Sequence, residues 1–268
     1  MNTVDSTEPQ SASVGCQTGV SSRLGIVAAM QQELSALLQL LDTDRVERHA
    51  GRDFHVGLLH GLPVVMVLSR IGKVAAATTA TMLIERFAVD RMIFTGVAGG
   101  LGEQVRVGDV VVADALLQHD MDASPLFARH EVPLTGLSRF ATDPTLSTAL
   151  SRATEAVLAD SAHRFGPQAR ELGVLAPRLH RGLIISGDRF VATASESNRL
   201  RRELPDALAV EMEGAALAQV CHDCRVPFAV LRTISDRADD DAHVDFGRFI
   251  ESVASRASAA IVGQWLLG

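Results

Sequence analysis

The chain has 268 residues, 47% of them hydrophobic, enough to bury a sizeable core as one large domain or at most two small ones. Its 25 Lys+Arg against 32 Asp+Glu give a net charge of −7, which leaves no broad positive field for a phosphate backbone and argues against a nucleic-acid partner. Three cysteines, Cys16, Cys221 and Cys224, cannot build a disulfide framework, and no apolar run approaches the roughly 20 residues of a membrane-spanning helix, so a cytoplasmic protein with no membrane partner is expected.

Residues 1–22 are polar and rich in Ser, Thr and Gln, and are read as a flexible tail ahead of a domain spanning 23–268. "LGIVAAM" predicts the first strand, with Glu33 in the first turn of the helix that follows, where the helix dipole favours a carboxylate whatever else it does. "FHVGLLH" and "PVVMVLS" are strands, and "GKVAAATTATMLIERF" (72–87) is a helix of small residues. "RMIFTGVAG" and "VGDVVVADA" are the next strands. The glycines between them, 96, 99, 100 and 102, suit either a tight turn or close approach to a ligand, but they do not spell the dinucleotide fingerprint. The stretch 148–181 reads as a helix followed by an excursion at the surface. Strands "RGLIISGD", "LAVEM" and "VPFAVLRTIS", a second small-residue helix "EGAALAQVCHDC" and the closing "FGRFIESVASRASAAIVGQWLLG" complete the chain. Several strands are apolar on consecutive positions, as strands covered on both faces are, and their alternation with helices predicts an α/β fold with a mixed or parallel sheet between helices.

Three places carry acids next to apolar strands. Glu211 and Glu213 in "LAVEMEGAALA" share a face if the strand alternates, and two buried carboxylates side by side each need a partner. Ser235 and Asp236 close the last strand, and strand C-terminal ends are where open α/β sheets bind ligands. Burial and the neighbouring Asp239, Asp240 and Asp241 would raise the Asp236 carboxyl and make it a proton donor near neutral pH, although a solvated acidic loop is the plainer reading of such a run. The C-x-x-C of Cys221 and Cys224 lacks the second pair a closed zinc site needs and is read as inert thiols. Neither H-E-x-x-H nor G-x-S-x-G occurs, so metallohydrolase and serine-hydrolase chemistry lose their usual signals.

Taken in order, "GIVAAMQQEL", "SRIGKVAAA", "TGVAGGL", "VGDVVVAD", "HDMD", "GLIISGDRF", "AVEMEGAALA" and "ISDRAD" resemble the 5′-methylthioadenosine/S-adenosylhomocysteine nucleosidases of the nucleoside phosphorylase superfamily, from about Leu24 to the C-terminus. The resemblance implies a single α/β domain around a central, mixed, partly barrel-like sheet flanked by helices. It also implies a homodimer whose sites are completed by the partner, and an enzyme that hydrolyses the N-glycosidic bond of methylthioadenosine and adenosylhomocysteine to release adenine, with no cofactor and no metal.

Position by position, the resemblance makes Asp236 the general acid to the adenine, Glu33 the residue that holds and activates water, and Glu213, with the Met212 backbone, the grip on the ribose hydroxyls. Phe190 would stack on adenine and the Val191 backbone would read its edge. Ile71 and Phe246 would line the sugar and its 5′ substituent, Ser235 would stand beside the acid, and "HDMDASPLF" would reach the neighbouring subunit. If Glu213 meets the ribose, Glu211 needs an internal partner at the site, and Arg232 is the candidate. Related bacterial phosphorylases carry Arg at the position of Glu33, and Arg and Ser at those of Phe94 and Val97. A carboxylate and two apolar residues here favour water over a phosphate dianion. A futalosine or aminofutalosine hydrolase, a phosphorylase of the same fold and a purine-binding sensor without activity are the alternatives. Arg70 stands where many relatives have glycine, a change that bears on the mouth of the site, and the 148–181 stretch is longer than the family pattern.

Overall fold

The computed structural model describes residues 22–238 and 246–268; Cys16, nearly all of the N-terminal tail and the acids Asp239, Asp240 and Asp241 lie outside them. In chain order the elements are β1 (Leu24–Ala28), α1 (Gln31–Leu38), β2 (Asp42–His49), β3 (Arg52–Leu59), β4 (Leu62–Leu68), α2 (Lys73–Phe87), β5 (Arg91–Phe94), β6 (Val97–Gly100), β7 (Val110–Gln118) and β8 (Phe140–Ala141). Then follow α3 (Pro144–Leu158), α4 (Ser161–Arg164), α5 (Gln168–Glu171), β9 (Leu179–Ser186), α6 (Ala194–Glu203), β10 (Ala207–Glu211), α7 (Gly214–Asp223) and β11 (Phe228–Asp236). Last come α8 (Phe246–Phe249), a π-helical turn (Ile250–Ala254) and α9 (Ser255–Leu267).

The strands form one mixed sheet in the order β2-β3-β4-β1-β5-β11-β6-β10-β9-β7-β8, and β7 also pairs back to β11, so β11, β6, β10, β9 and β7 close into a five-stranded ring. β11 belongs to both halves. Phe228–Val230 runs parallel to β5 in the open half, and Thr233–Asp236 runs parallel to β6 in the ring. All nine of its residues are buried, the run Phe228–Leu231 as apolar strand positions covered on both faces, and Arg232, Thr233, Ser235 and Asp236 as polar members of the ring half. β1 shows how both faces are covered. Val27 packs in the cluster that contains α2 and α7, whereas Leu24, Ile26 and Ala28 pack in the cluster that contains α1, α3 and α9.

The run expected as one strand, "RMIFTGVAG", is two. β5 pairs in the open half, β6 in the ring, and the chain turns between them at Thr95 and Gly96. α3 starts ahead of the expected Thr148 because Asp143 caps it, its carboxylate accepting the Leu146 N–H at 2.8 Å just before Pro144 at the first helical position. The stretch that follows runs largely at the surface, as expected, but it is anchored in the core. Phe165, Ala169 and Val174 are buried and pack into the cluster of α1, α3 and α9. Among the described residues no helix is long and apolar enough to cross a membrane.

Candidate active site

The first acid is positioned by a strand-to-helix turn. Glu33, third residue of α1, folds back so that its Oε2 accepts the N–H groups of Ala29 at 3.0 Å and Met30 at 2.8 Å, as the glutamate of a capping box does. Its other oxygen accepts the Val97 N–H at 3.0 Å, which ties α1 to the start of β6. The fit requires Gly96, since a Cβ there would lie 2.9 Å from Glu33 Oε1. Burial pushes the Glu33 carboxyl above its ordinary value, against the charge of Arg232 and the three amides.

Glu211 and Glu213 divide as their environments dictate. Glu211, at the end of β10, pairs with Arg232 Nη2 at 2.7 Å and accepts the Gly214 N–H on both oxygens and the Ser186 hydroxyl. Arg232 is almost wholly buried. It also donates to the carbonyls of Phe94 and Leu231 and lies 4.2 Å from the centroid of the Phe94 ring. The internal partner expected for Glu211 is therefore the one it has, and both residues border the cavity with their charges directed at each other. Glu213, at the start of α7, accepts the Gly72 N–H at 2.8 Å, and burial followed by the nearby Glu211 pushes its carboxyl up to about 8. α7 packs against α2 through Ala76, Ala80, Ala215, Ala216 and Ala218, so the small residues of both sequences form one tight helix contact behind this acid.

Asp236 closes β11. Its Oδ2 accepts the Ser235 hydroxyl at 2.7 Å and its Oδ1 accepts the Ala238 N–H at 2.7 Å. Gly99 gives it room, for a Cβ there would lie 2.9 Å from Oδ1. Phe190 and Phe246 meet edge to face at 5.9 Å, and Phe190 and Ile71 are partly exposed, which makes an apolar rim above the buried acids. Val191 is buried beside Phe190.

One cavity gathers Asp236, Glu33, Glu213, Met212, Phe190, Val191, Ile71, Ser235, Phe246, Glu211 and Arg232, every site residue named from the sequence. It is also lined by Arg189, which sequence reasoning missed because an exposed arginine paired with Glu196 carries no pattern. Val97 lines it too, whereas Phe94 lies under the Arg232 guanidinium. Arg70 does not border the cavity. Its backbone is left-handed, with φ 71°, where glycine is the unstrained choice, and its guanidinium donates to the Gly51 carbonyl in the β2–β3 turn. Cys221 is buried, and burial pushes its thiol up.

The model of the phosphorylase superfamily matches residues 23–263. The chain belongs to that family. It stands with the family's nucleosidases, enzymes that break N-glycosidic bonds. The 5′-methylthioadenosine/S-adenosylhomocysteine nucleosidase of Neisseria meningitidis, in complex with methylthio-immucillin-A, is 35% identical, with a TM-score of 0.79 over 91% of this chain and 98% of that one. Futalosine hydrolase of Helicobacter pylori is 32% identical, with a TM-score of 0.78 over 92% and 97%. An aspartate-to-asparagine variant of the Helicobacter pylori methylthioadenosine nucleosidase, with 5′-methylthioadenosine in its active site, is 32% identical, with a TM-score of 0.77 over 91% and 98%.

Proposed function

We propose that this nucleosidase hydrolyses the N-glycosidic bond of 5′-thio-substituted adenosines, methylthioadenosine and adenosylhomocysteine, and releases adenine. The observation that carries the reading is the Glu33 carboxylate, buried and fixed by three backbone amides in the same cavity as Asp236 and Glu213. Scission of the bond passes through an oxocarbenium-like sugar, which calls for an acid at the base, a carboxylate-held water at C1′ and a polar grip on the 2′ and 3′ hydroxyls.

Asp236, oriented by Ser235, protonates N7 so that adenine leaves neutral. Glu33 holds the water and takes its proton, and the raised carboxyl makes it a stronger base than an exposed glutamate. Glu213 and the Met212 backbone take the ribose hydroxyls. Phe190 stacks on the base, the Val191 backbone reads its edge, and Ile71 and Phe246 enclose the 5′ substituent. Phosphate is disfavoured as the nucleophile: Arg232, the buried cation of the cavity, is neutralised by Glu211, the exposed Arg189 at its edge pairs with Glu196, and the remaining lining charge is carboxylate. The domain that does this spans 23–268, and a cytoplasmic location goes with it. Exposed Val74, Leu126 and Leu134 support a homodimer in which the segment 119–127 approaches the partner's site.

The match to a futalosine hydrolase keeps a second 5′ group in view, with the same bond broken. Incubating the protein with methylthioadenosine, adenosylhomocysteine and 6-amino-6-deoxyfutalosine, with and without phosphate, tests both. The expected result is adenine and free sugar from the thio-nucleosides at a rate indifferent to phosphate. No adenine from either would overturn the substrate reading, and a sugar 1-phosphate would overturn water as the nucleophile.

A further inference from the structure

Beyond the cavity, a set of charged residues joins three segments that are distant in sequence. Helix α2 begins with N–H groups that have no acceptor within the helix, and its cap residue Gly72 has no side chain to serve them. Two consecutive amides find carboxylates from elsewhere. Gly72 N–H donates to Glu213 at 2.8 Å, and Lys73 N–H donates to Asp188 Oδ1 at 2.7 Å. Asp188 lies just past β9, two residues before Phe190. Its own N–H donates to Asp120 Oδ2 at 2.9 Å, and Asp120 Oδ1 accepts Lys73 Nζ at 2.6 Å. Lys73, Asp120 and Asp188 thus form a closed loop of bonds over the segment that enters the site, and none of them borders the cavity.

The same segment is held from its other side. Gly187 N–H donates to the Glu211 carbonyl, and the His119 ring occupies the place a Gly187 side chain would need, its Nε2 only 2.3 Å from a Cβ built there. The Lys73 side chain is 16% exposed and that of Asp120 34%, so their pair is less screened than a bridge in open solvent. Burial works against the charge on Asp120, but the bonds from Lys73 and Asp188 outweigh it and leave its carboxyl below the ordinary range.

We propose that Lys73, Asp120 and Asp188 are positioning residues: a latch that sets the Phe190–Val191 segment against the purine and, through Gly72, couples that segment to the sugar-holding Glu213. This rests on the roles proposed above for Phe190, Val191 and Glu213. The latch acts before chemistry, on the fit of the nucleoside, so its loss weakens binding more than turnover.

The test uses the full chain with Lys73→Met, Asp120→Asn and the double variant, read by adenine release from methylthioadenosine and by amide hydrogen exchange over residues 187–193. We expect each single variant to raise KM about tenfold with kcat within about threefold, the double to be no worse than either single, and exchange over 187–193 to quicken in all three. Parental KM with unchanged exchange would overturn the latch, and so would strictly additive losses that fall on kcat. If the parent releases no adenine yet the variants quicken exchange at 187–193, the latch stands and the substrate reading falls.

Discussion

Two helix starts in this molecule look alike in sequence and differ in what surrounds them. At the start of α1, Glu33 follows an apolar strand and is met by three backbone N–H groups; at the start of α7, Glu213 follows an apolar strand and is met by the Gly72 N–H. Both are buried and both carboxyls are raised, burial being the larger cause in each. The difference is one of supply. Glu33 is immobilised by the protein and can direct an oxygen at a water, while Glu213 is left with acceptor capacity that a bound diol can fill. A glutamate at a helix start is thus not a role in itself, and the amides around it decide what it can do.

Breaking the α1 side has the largest expected effect. Glu33→Gln keeps the size but removes the carboxylate proposed as the base, and turnover of methylthioadenosine should fall about 1000-fold, measured by adenine release; a fall below tenfold would remove Glu33 as the residue that activates water. Glu213→Gln comes next, with kcat/KM down about 100-fold through loss of charge-assisted bonds to the hydroxyls.

Its pH behaviour sharpens the contrast. A carboxyl whose folded pKa exceeds its unfolded one stabilises the fold while it is protonated. For Glu213 that contribution is whole below 4.5 and is lost as pH rises through about 8. The parent's Tm should therefore decline across that window more steeply than that of Glu213→Gln, while the parent's kcat/KM rises towards pH 8 with a limb that the variant lacks. Parallel Tm profiles would refute the raised carboxyl. The smallest effect is expected deeper in α7, where Cys221→Ala should leave turnover unchanged and lower stability by about 1 kcal/mol in thermal or denaturant unfolding.

Much of this was legible in the sequence where burial leaves a compositional mark. β1 and the first half of β11, Phe228–Leu231, are apolar at consecutive positions because both faces are covered, and α2 and α7 are rich in alanine because they pack on each other. The acids stood out because each interrupts or ends an apolar run. What stayed hidden had no such mark. β2, "DTDRVERH", is a polar edge strand with most of its residues exposed, and α6, "ASESNRLRRE", buries only Ser197 and Leu200. "RMIFTGVAG" divides into β5 and β6 at Thr95 and Gly96, where Gly96 makes room for a carboxylate more than sixty residues earlier, a contact that local pattern cannot show. Phe165 and Val174 sit among prolines and charges yet fill the core, because a tertiary neighbour outweighs local composition.

The double membership of β11 has a consequence for the order in which the protein comes into being. The last strand among the described residues supplies Arg232, Ser235 and Asp236, closes the ring on β7 and joins the ring to the open half of the sheet. Until it inserts, Glu211 has no counter-ion and the cavity has no wall on that side. A chain emerging from the ribosome therefore carries Glu33 long before it has the wall that β11 supplies, and Phe246 follows later still, so the cavity is enclosed only when the last described elements pack.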